Sequence, residues 1–399
     1  MASATGPWWR RTPVVAFVLA ASLAGLGVGS GGCLSPEAST DQRPSPSSGV
    51  ASLEWTPVAL PAGHAPVTLT AYLGGVLVGT HVGDAPGVPG LLALRGASAA
   101  SLPVAPASPY GKEATWLSIE ATHDGALVAV GGARGGAHSN VRWSVWRGDS
   151  GGLHEQEQVF STFGGWGAGE QLGVIPTDAG PMLLGSWESK GAGLDADIWL
   201  PTGAEWIRQD PQGTPLASTA TILVGPRGGA QRGRGAVVVG SVVDLRDGVT
   251  QRPAAWISRE GNTGWASVEV PGASGEALGV GCSSRDECLV IGVVSGRLAA
   301  WRLGDGTAVA VAGLPDVSIP ETASMPPPRA LGESWLVVVP SGHGSRAMIV
   351  GAGSPVVGEV TPPPGTVTAT IVLGDTAYAV TTDVSGRTAL WSAAVTLQR

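Results

Sequence analysis

Charge is scarce in this 399-residue sequence, and positive charge is the scarcer of the two signs. Only 14% of the residues are charged, and 23 Lys and Arg against 31 Asp and Glu give a net charge of -8. Such a chain repels a phosphate backbone, so the composition argues against nucleic acid as a partner. Because 43% of the residues are hydrophobic, a large buried core can form, which excludes disorder over most of the chain.

Long stretches of helical periodicity are also missing. The sequence contains 62 Gly and 31 Pro, and both residues disfavour helix interiors. From Ala51 onward the chain consists of short β-rich runs broken by Gly, Pro and Asp. This pattern predicts an all-β fold.

A long apolar run does occur near the N-terminus, at residues 13–29. Arg10 and Arg11 precede it, and small residues follow it up to Cys33, a pattern typical of a secretory signal peptide. An uncleaved membrane anchor is the alternative, because the run has no charge and approaches the length of about 20 residues that spans a bilayer. Its Gly-rich second half is a poor helix, so we predict a cleaved signal peptide over residues 1–32.

Cys33 directly follows Ser30-Gly31-Gly32, and this sequence resembles the lipobox of bacterial lipoproteins. It departs from the family at Ser30, where Leu or a similar residue is usual. The resemblance implies that cleavage makes Cys33 the new N-terminus and that Cys33 carries the lipid. Residues 33–50 then form the lipidated Cys and a flexible Pro- and Ser-rich tether. We predict a lipid anchor at the outer face of a bacterial membrane, with a periplasmic or secreted protein as the alternative.

A run of small and branched apolar residues recurs along the rest of the chain and usually ends at Gly. The seven copies contain Val78, Val130, Leu184, Val239, Ile291, Val339 and Val380. After each copy comes a second strand, centred on Leu94, Trp146, Trp199, Trp256, Trp301, Met348 or Trp391. Seven copies at a spacing of about 50 residues predict a seven-bladed β-propeller of four-stranded antiparallel blades. The tryptophans are interpreted as core residues packed between adjacent blades.

The last copy ends at the C-terminus without a fourth strand. Near the start of the domain, Trp55-Thr56-Pro57-Val58-Ala59-Leu60-Pro61 repeats the pattern of the segment from Trp265 to Pro271 and has no strand before it. We therefore predict that an N-terminal strand closes the last blade, which pairs the sheet edges of both termini. Residues 51–399 then form one propeller domain.

Cys282 and Cys288 flank a short turn between two strands of the fifth copy. Opposed positions of a hairpin can bring two cysteines within disulfide range, and export exposes them to an oxidising compartment. A metal pair is the alternative, but no further Cys or His lies nearby. The six histidines also lack zinc-site spacing. We predict a disulfide, no metal site and no cofactor.

Four turns carry eroded versions of the Asp box, as in Ser258-x-Glu260 followed by Trp265 and in Asp149-x-Gly151. They resemble the boxes of sialidase-like propellers, the bacterial neuraminidase repeat proteins, in which the boxes are chiefly structural. The Arg-Ile-Pro motif of the active enzymes is missing, and Tyr72 and Tyr378 lie on or beside apolar strands. We therefore predict no catalytic residues, and an exported glycoside hydrolase of sialidase-like ancestry is the alternative.

A binding face is expected where the loops between second and third strands gather around one end of the central channel. The candidate loop residues are Arg134, His138, Lys190, Asp195, Asp197, Arg246, Asp247, Arg252, His343 and Arg346. A further basic segment, containing Arg227, Gly228-Gly229, Arg232 and Arg234, is interpreted as a solvated hairpin, with a site for an acidic partner as the alternative. The prediction is a non-catalytic binding or scaffolding propeller of the cell envelope, whose partner is an extracellular protein or glycan.

Overall fold

The fold is known from a computed structural model, which describes residues 52–83, 87–96, 98–135, 140–163, 169–320, 324–342, 344–351 and 357–396. Within these ranges, thirty strands pair into seven sheets arranged as a seven-bladed propeller. Helical structure in the same ranges is confined to α1 (Pro109–Lys112) and one 3-10 turn (Phe160–Thr162). The predicted all-β fold of four-stranded antiparallel blades is confirmed.

The chain begins with two short strands, β1 (Ser52–Leu53) and β2 (Thr56–Pro57). Blade 1 contains β3 (His64–Tyr72), β4 (Gly75–Val82), β5 (Val88–Arg95) and β6 (Ser98–Leu102). Blade 2 contains β7 (Val104–Ala105), β8 (Thr115–Ala121), β9 (Leu127–Gly135), β10 (Asn140–Asp149) and β11 (Gly152–Gln156). Blade 3 contains β12 (Gly169–Thr177), β13 (Gly180–Glu188), β14 (Leu194–Thr202) and β15 (Glu205–Arg208).

Blade 4 contains β16 (Ile222–Arg232), β17 (Gly235–Asp244), β18 (Thr250–Ile257) and β19 (Ala266–Glu269). Blade 5 contains β20 (Gly275–Cys282), β21 (Cys288–Val294), β22 (Arg297–Leu303) and β23 (Ala308–Ala310). Blade 6 contains β24 (Arg329–Leu331), β25 (Ser334–Ser341), β26 (Gly344–Val350) and β27 (Val357–Val360). Blade 7 contains β28 (Thr366–Leu373), β29 (Thr376–Thr382) and β30 (Thr388–Thr396), together with β1 and β2.

The N-terminal strands close the ring. Leu53 pairs with Val395, and Pro57 pairs with Trp391, so β1 and β2 form the outer edge of blade 7 against β30. The indole N–H of Trp55 donates a hydrogen bond of 2.8 Å to the carbonyl of Thr361, which precedes blade 7. The predicted closure by an N-terminal strand is confirmed, and it joins the two ends of the chain in one sheet.

The second strand of each blade is apolar on both faces because both faces are buried. In β4, Val76 and Val78 pack in one cluster with Ile371 of blade 7, whereas Leu77 between them packs in another with Trp116 of blade 2. Alternate residues of a strand point to opposite faces, so a strand between two blades needs a continuous apolar run rather than alternation. This geometry explains the recurring motif.

Four of the tryptophans predicted to be core residues are almost completely buried: Trp146, Trp199, Trp256 and Trp301. Trp146 meets Trp116 edge-on, with ring centroids 5.1 Å apart, and Trp199 meets Trp187 at 5.2 Å. Edge-to-face contacts of this kind add to the apolar area that each ring buries. The core interpretation is confirmed for these four side chains.

Cys282 and Cys288 form the predicted disulfide. They face each other across the hairpin that joins β20 to β21. Cys33 and the rest of residues 1–51 lie outside the described residues, so lipidation and signal-peptide cleavage stay predictions. Among the described residues, no helix has the length and apolar character needed to cross a bilayer.

Two of the Asp-box-like turns use their polar side chains to hold the turn. The Ser258 hydroxyl donates to the carbonyl of Gly261 at 2.6 Å and accepts from the amide of Ala236 at 2.8 Å. The Asp149 carboxylate accepts from the amide of Gly151 at 2.7 Å. Short polar side chains commonly satisfy turn amides in this way, and the contacts match the predicted structural role.

The interpretation of the Arg227 to Arg234 segment as a solvated hairpin is wrong for most of its length. Gly228 and Gly229 lie inside β16 on the channel side of blade 4, and a β-bulge follows Pro226. A Cβ atom on Gly229 would come within 2.5 Å of the Ile175 side chain. Glycine is therefore present because the neighbouring inner strand packs against the backbone, not because the chain turns.

Candidate functional site

Eight of the ten predicted binding residues lie in the described part of the chain, and His138 and His343 lie outside it. The placement of Asp195 and Asp197 in an exposed loop is wrong, because both lie within β14 and are buried. Asp195 accepts a hydrogen bond of 2.6 Å from the amide of Ser218. Asp197 accepts two from the guanidinium of Arg208, at 2.7 and 2.8 Å.

The other described candidates lie at strand ends or in hairpins of blades 2, 3, 4 and 6. Several are held by carboxylates of their own blade: Lys190 is 2.9 Å from Asp210 and Arg346 pairs with Glu359. Arg246 pairs with Asp244 and lowers the pKa of that carboxyl, and the charge of Arg252 lowers it further. The structure thus brings Arg246 and Arg252 toward one acid. It does not gather the whole set into one pocket, and binding by these residues stays a prediction.

A first candidate site, which we call the side groove, lies on blade 2 beside the segment that leads to blade 3 and has a volume of about 320 Å³. The start of β10 forms one wall, and the segment between β11 and the 3-10 turn forms another. Its lining residues are Ser108, Tyr110, Arg142, Trp143, Ser144, Glu155, Gln156, Glu157, Gln158, Val159, Phe160 and Phe163. It therefore combines aromatic rings with amide, carboxylate and guanidinium groups.

Hydrogen bonds to the scaffold fix the walls of the side groove. The Glu155 carboxylate accepts from the amides of Ala107 and Ser108, both at 2.7 Å, and from the Ser108 hydroxyl at 2.6 Å. The Gln158 side chain donates to the carbonyl of Ala204 at 2.8 Å and accepts from the amide of Trp206 at 2.9 Å. Glu155 thus holds the segment before α1 in place, and Gln158 holds the groove against blade 3.

Phe160 and Arg142 contact each other in the side groove. The Phe160 side chain is 64% exposed although it is a large apolar group. The guanidinium carbon of Arg142 lies 5.0 Å from the centroid of its ring, a distance typical of a cation–π contact. Most of the Phe160 side chain is open to solvent, and the Glu157 carboxylate lines the same groove.

A second candidate site, the channel pocket, lies in the central channel and has a volume of about 310 Å³. Its walls come from the last four residues of the inner strands of blades 1, 2, 5, 6 and 7. The lining residues are Leu69, Thr70, Ala71, Glu120, Ala121, Cys282, Arg329, Ala330, Ile371 and Val372. The exposed lining surface is mainly polar, and Glu120 and Arg329 are the ionisable groups among the lining residues.

Burial shapes the electrostatics of the channel pocket. It raises the pKa of Glu120 from 4.5 to about 7, against the lowering effects of the Arg329 charge and the Thr70 hydroxyl. Burial also lowers the pKa of Arg329, while the charge of Glu120 acts to raise it. Nε of Arg329 donates to the carbonyl of Thr370 at 2.7 Å, and the Thr70 hydroxyl lies 3.3 Å from the Glu120 carboxylate.

The stability of the protein is expected to depend on the ionisation of Glu120. Its raised pKa means that the folded protein binds more protons than the unfolded chain between pH 4.5 and about 7, so stability falls as the pH rises through that window. Glu120→Gln removes this titration. The unfolding free energy of the variant minus that of the wild type should therefore increase by about 3 kcal/mol from about pH 4 to about pH 8. Urea denaturation at both pH values measures this gain, and an equal difference at both would contradict it.

Sequence reasoning missed both candidate sites. Glu120 lies on an apolar inner strand, and Arg329 follows a Pro-rich segment, so nothing in the local pattern links them. Phe160 is one of only 3 Phe, and that scarcity in a region without strand pattern is the signal that could have indicated the side groove. Within the described ranges, no cluster of three His, Cys, Asp or Glu side chains is arranged to hold a metal ion.

No family model matches the sequence, and no curated protein does. Solved structures do match. Virginiamycin B lyase from Staphylococcus aureus aligns over 86% of this chain and 99% of its own, with a TM-score of 0.53 and 10% identity. The β-propeller domain of the Trilobed protease from Pyrococcus furiosus, which has an open velcro topology, aligns over 84% and 98%, with a TM-score of 0.53 and 8% identity.

A puromycin-hydrolyzing peptidase from Mycobacterium tuberculosis aligns over 88% of this chain and 56% of its own, with a TM-score of 0.54 and 12% identity. At such low identity these likenesses show the fold alone. The chain is a seven-bladed β-propeller with distant structural neighbours among enzymes. Its closed ring, in which β1 and β2 pair with β30, differs from the open velcro topology of the Pyrococcus domain.

Proposed function

We propose that this protein is a non-catalytic binding propeller of the cell envelope and that it binds an extracellular glycan in the side groove. The observation that carries the proposal is the exposed Phe160 ring, which is flanked in one groove by Arg142 and Glu157. The signal peptide and the lipid on Cys33, both proposed from the sequence, would put this groove outside the membrane.

The side groove suits a sugar ring on chemical grounds. The C–H face of a pyranose is apolar and packs on an aromatic ring, while its hydroxyl groups need hydrogen-bond partners around the edge. Arg142 can donate such hydrogen bonds, and Glu157 can accept them. Because Glu155 and Gln158 are held by the scaffold, the groove keeps its shape before the ligand arrives, which reduces the entropic cost of binding.

Hydrolysis of a glycoside makes different demands. It uses two carboxyl groups on either side of the scissile bond. The side groove contains two, but Glu155 already accepts three hydrogen bonds from the segment before α1. The channel pocket has one carboxylate, Glu120, among its lining residues. Both arrangements favour binding over turnover.

Phe160→Ala is expected to weaken glycan binding about tenfold, because removing an exposed aromatic platform typically costs one to two kcal/mol of binding free energy. The full-length protein in detergent is screened on an array of neutral and acidic oligosaccharides, and the affinity of the strongest binder is then measured by calorimetry. Val309→Ala is the matched control, because Val309 is 62% exposed and lies on blade 5.

Fluorogenic glycosides are tested beside the array. Binding that falls with Phe160→Ala and not with Val309→Ala, without turnover, supports the proposal. Turnover by the wild-type protein would overturn its non-catalytic part. A stoichiometric protein partner captured from envelope extracts, with no glycan bound on the array, would replace the glycan by a protein.

A further inference from the structure

The channel pocket holds two opposite charges that do not neutralise each other directly. Glu120 projects from β8 of blade 2, and Arg329 projects from β24 of blade 6. Within the described part of the chain, neither side chain forms an ion pair, although each influences the ionisation of the other. The two groups therefore face the same space across a gap.

Each charged group is partly buried and makes few hydrogen bonds. Arg329 donates from Nε to the carbonyl of Thr370, and Glu120 accepts a long hydrogen bond of 3.3 Å from Thr70. A guanidinium offers five N–H donors and a carboxylate about four acceptor positions. Charges taken out of bulk water are costly unless they are paired and hydrogen-bonded. Most of the bonding capacity of both groups has no partner among the described residues, and both line the pocket.

The rest of the wall restricts what can enter. Leu69 and Ile371 line it from the core between blades 1 and 7, and Ala71, Ala121 and Ala330 add only small side chains. Cys282 closes the wall on the blade 5 side and is locked by its disulfide to Cys288. A volume of about 310 Å³ lies at the lower end of small-molecule sites, so the ligand is small.

Charge complementarity selects among small ligands. A simple anion would satisfy Arg329 and leave Glu120 buried beside a like charge, and a simple cation would do the reverse. A neutral sugar offers neither charge. A molecule with an ammonium group at one end and a carboxylate at the other neutralises both side chains at once and forms charge-assisted hydrogen bonds with each.

We propose that the channel pocket binds a small zwitterion of the amino-acid type, with its ammonium group on Glu120 and its carboxylate on Arg329. This site is separate from the side groove, so it does not depend on the glycan proposal. The channel end of a closed ring is well suited to such a ligand, because five different blades supply its walls and hold the two charges at a fixed separation.

Isothermal calorimetry on the full-length protein in detergent tests the proposal with glycine, β-alanine and 4-aminobutanoate, in which the spacing of the two charges grows. Acetate and ethylammonium are the singly charged comparisons. At least one zwitterion is expected to bind at least about tenfold more tightly than either singly charged compound, since a hydrogen-bonded charge contributes more than 1.4 kcal/mol.

Glu120→Gln should reduce zwitterion affinity at least about tenfold and leave acetate binding unchanged or improved, whereas Arg329→Met should reduce the affinity for both. Glu276→Gln is the control: Glu276 is also on an inner strand, but it lies near the start of β20 and pairs with Arg227 at 2.8 Å. The Glu276→Gln variant should bind every compound with the affinity of the wild type.

Proton release gives a second readout. Glu120 must be ionised to hold an ammonium group, so zwitterion affinity should fall as the pH drops below about 7, and binding at neutral pH should release a proton. Failure of all three zwitterions to bind better than acetate and ethylammonium at millimolar concentration would overturn the proposal. So would zwitterion binding that Glu120→Gln leaves intact. Neither result would affect the glycan test in the side groove.

Discussion

Leu53→Asp is expected to destabilise the whole propeller by at least about 4 kcal/mol, because it places an unpaired carboxylate in an apolar cluster. Leu53 is 4% exposed and packs with Leu336 and Val338 of blade 6 and with Ala377 and Ala393 of blade 7. It therefore serves two interfaces: the edge pairing of blade 7 and the core between blades 6 and 7. Guanidinium denaturation, followed by tryptophan fluorescence, measures the loss.

Ala59→Asp provides the matched control for the closure. Ala59 follows β2 and is exposed, so the same carboxylate there should change stability by less than about 0.5 kcal/mol. If Leu53→Asp does not yield folded protein, Leu53→Ala is measured instead, with an expected loss of about 2 to 4 kcal/mol. A loss as small as that of the control would show that the N-terminal strand does not hold the ring closed.

Arg208→Met is expected to destabilise the protein by about 3 kcal/mol at about pH 8, because it leaves a buried carboxylate without its partner. Asp197 has no exposed side-chain surface, and Arg208 binds it through two nitrogens while also donating to the carbonyl of Glu188 at 2.7 Å. The pKa of Asp197 is raised to about 6, chiefly by burial, even with Arg208 in place.

The cost of Arg208→Met should therefore shrink at about pH 5, where protonation makes Asp197 neutral and the lost partner matters less. Lys190→Met is the control in the same blade. Lys190 pairs with Asp210, and the two side chains are 74% and 53% exposed, so its loss should cost less than about 1 kcal/mol. Equal losses for the two variants, or a loss at Arg208 that does not change with pH, would contradict the structural role of the buried pair.

The number of blades and their strand order could be predicted from the sequence because each blade is a local unit. Four consecutive strands form one sheet, so the second-strand motif and the third-strand tryptophan repeat with the chain. The disulfide could be predicted for the same reason, since Cys282 and Cys288 face each other in one hairpin. Even the closure left a local trace, because the segment from Trp55 to Pro61 carries a fourth-strand pattern without the strands that normally precede it.

The polar residues were harder to place because their surroundings are not local. The segment around Asp195 and Asp197 has the composition of a loop. Hydrogen bonds from Ser218 and Arg208 allow both carboxylates to be buried in β14. The segment from Arg227 to Arg234 has the composition of a basic hairpin. Arg227 lies instead at a bulge in β16 and pairs with Glu276 of the next blade. In each case a contact with a residue distant in sequence decided the outcome.

The sequence by itself determined the all-β class, the seven blades, the buried tryptophans, the disulfide and the identity of the closing segment, because these depend on contacts within a blade or on a repeated pattern. Only the tertiary structure decided which side chains share a site. Glu120 and Arg329 line one pocket because the ring brings the inner strands of blades 2 and 6 to one channel, and Phe160 lies beside Arg142 because the segment after β11 folds back against β10. Neither arrangement repeats from blade to blade, so the sequence repeat that reveals the blades reveals neither site.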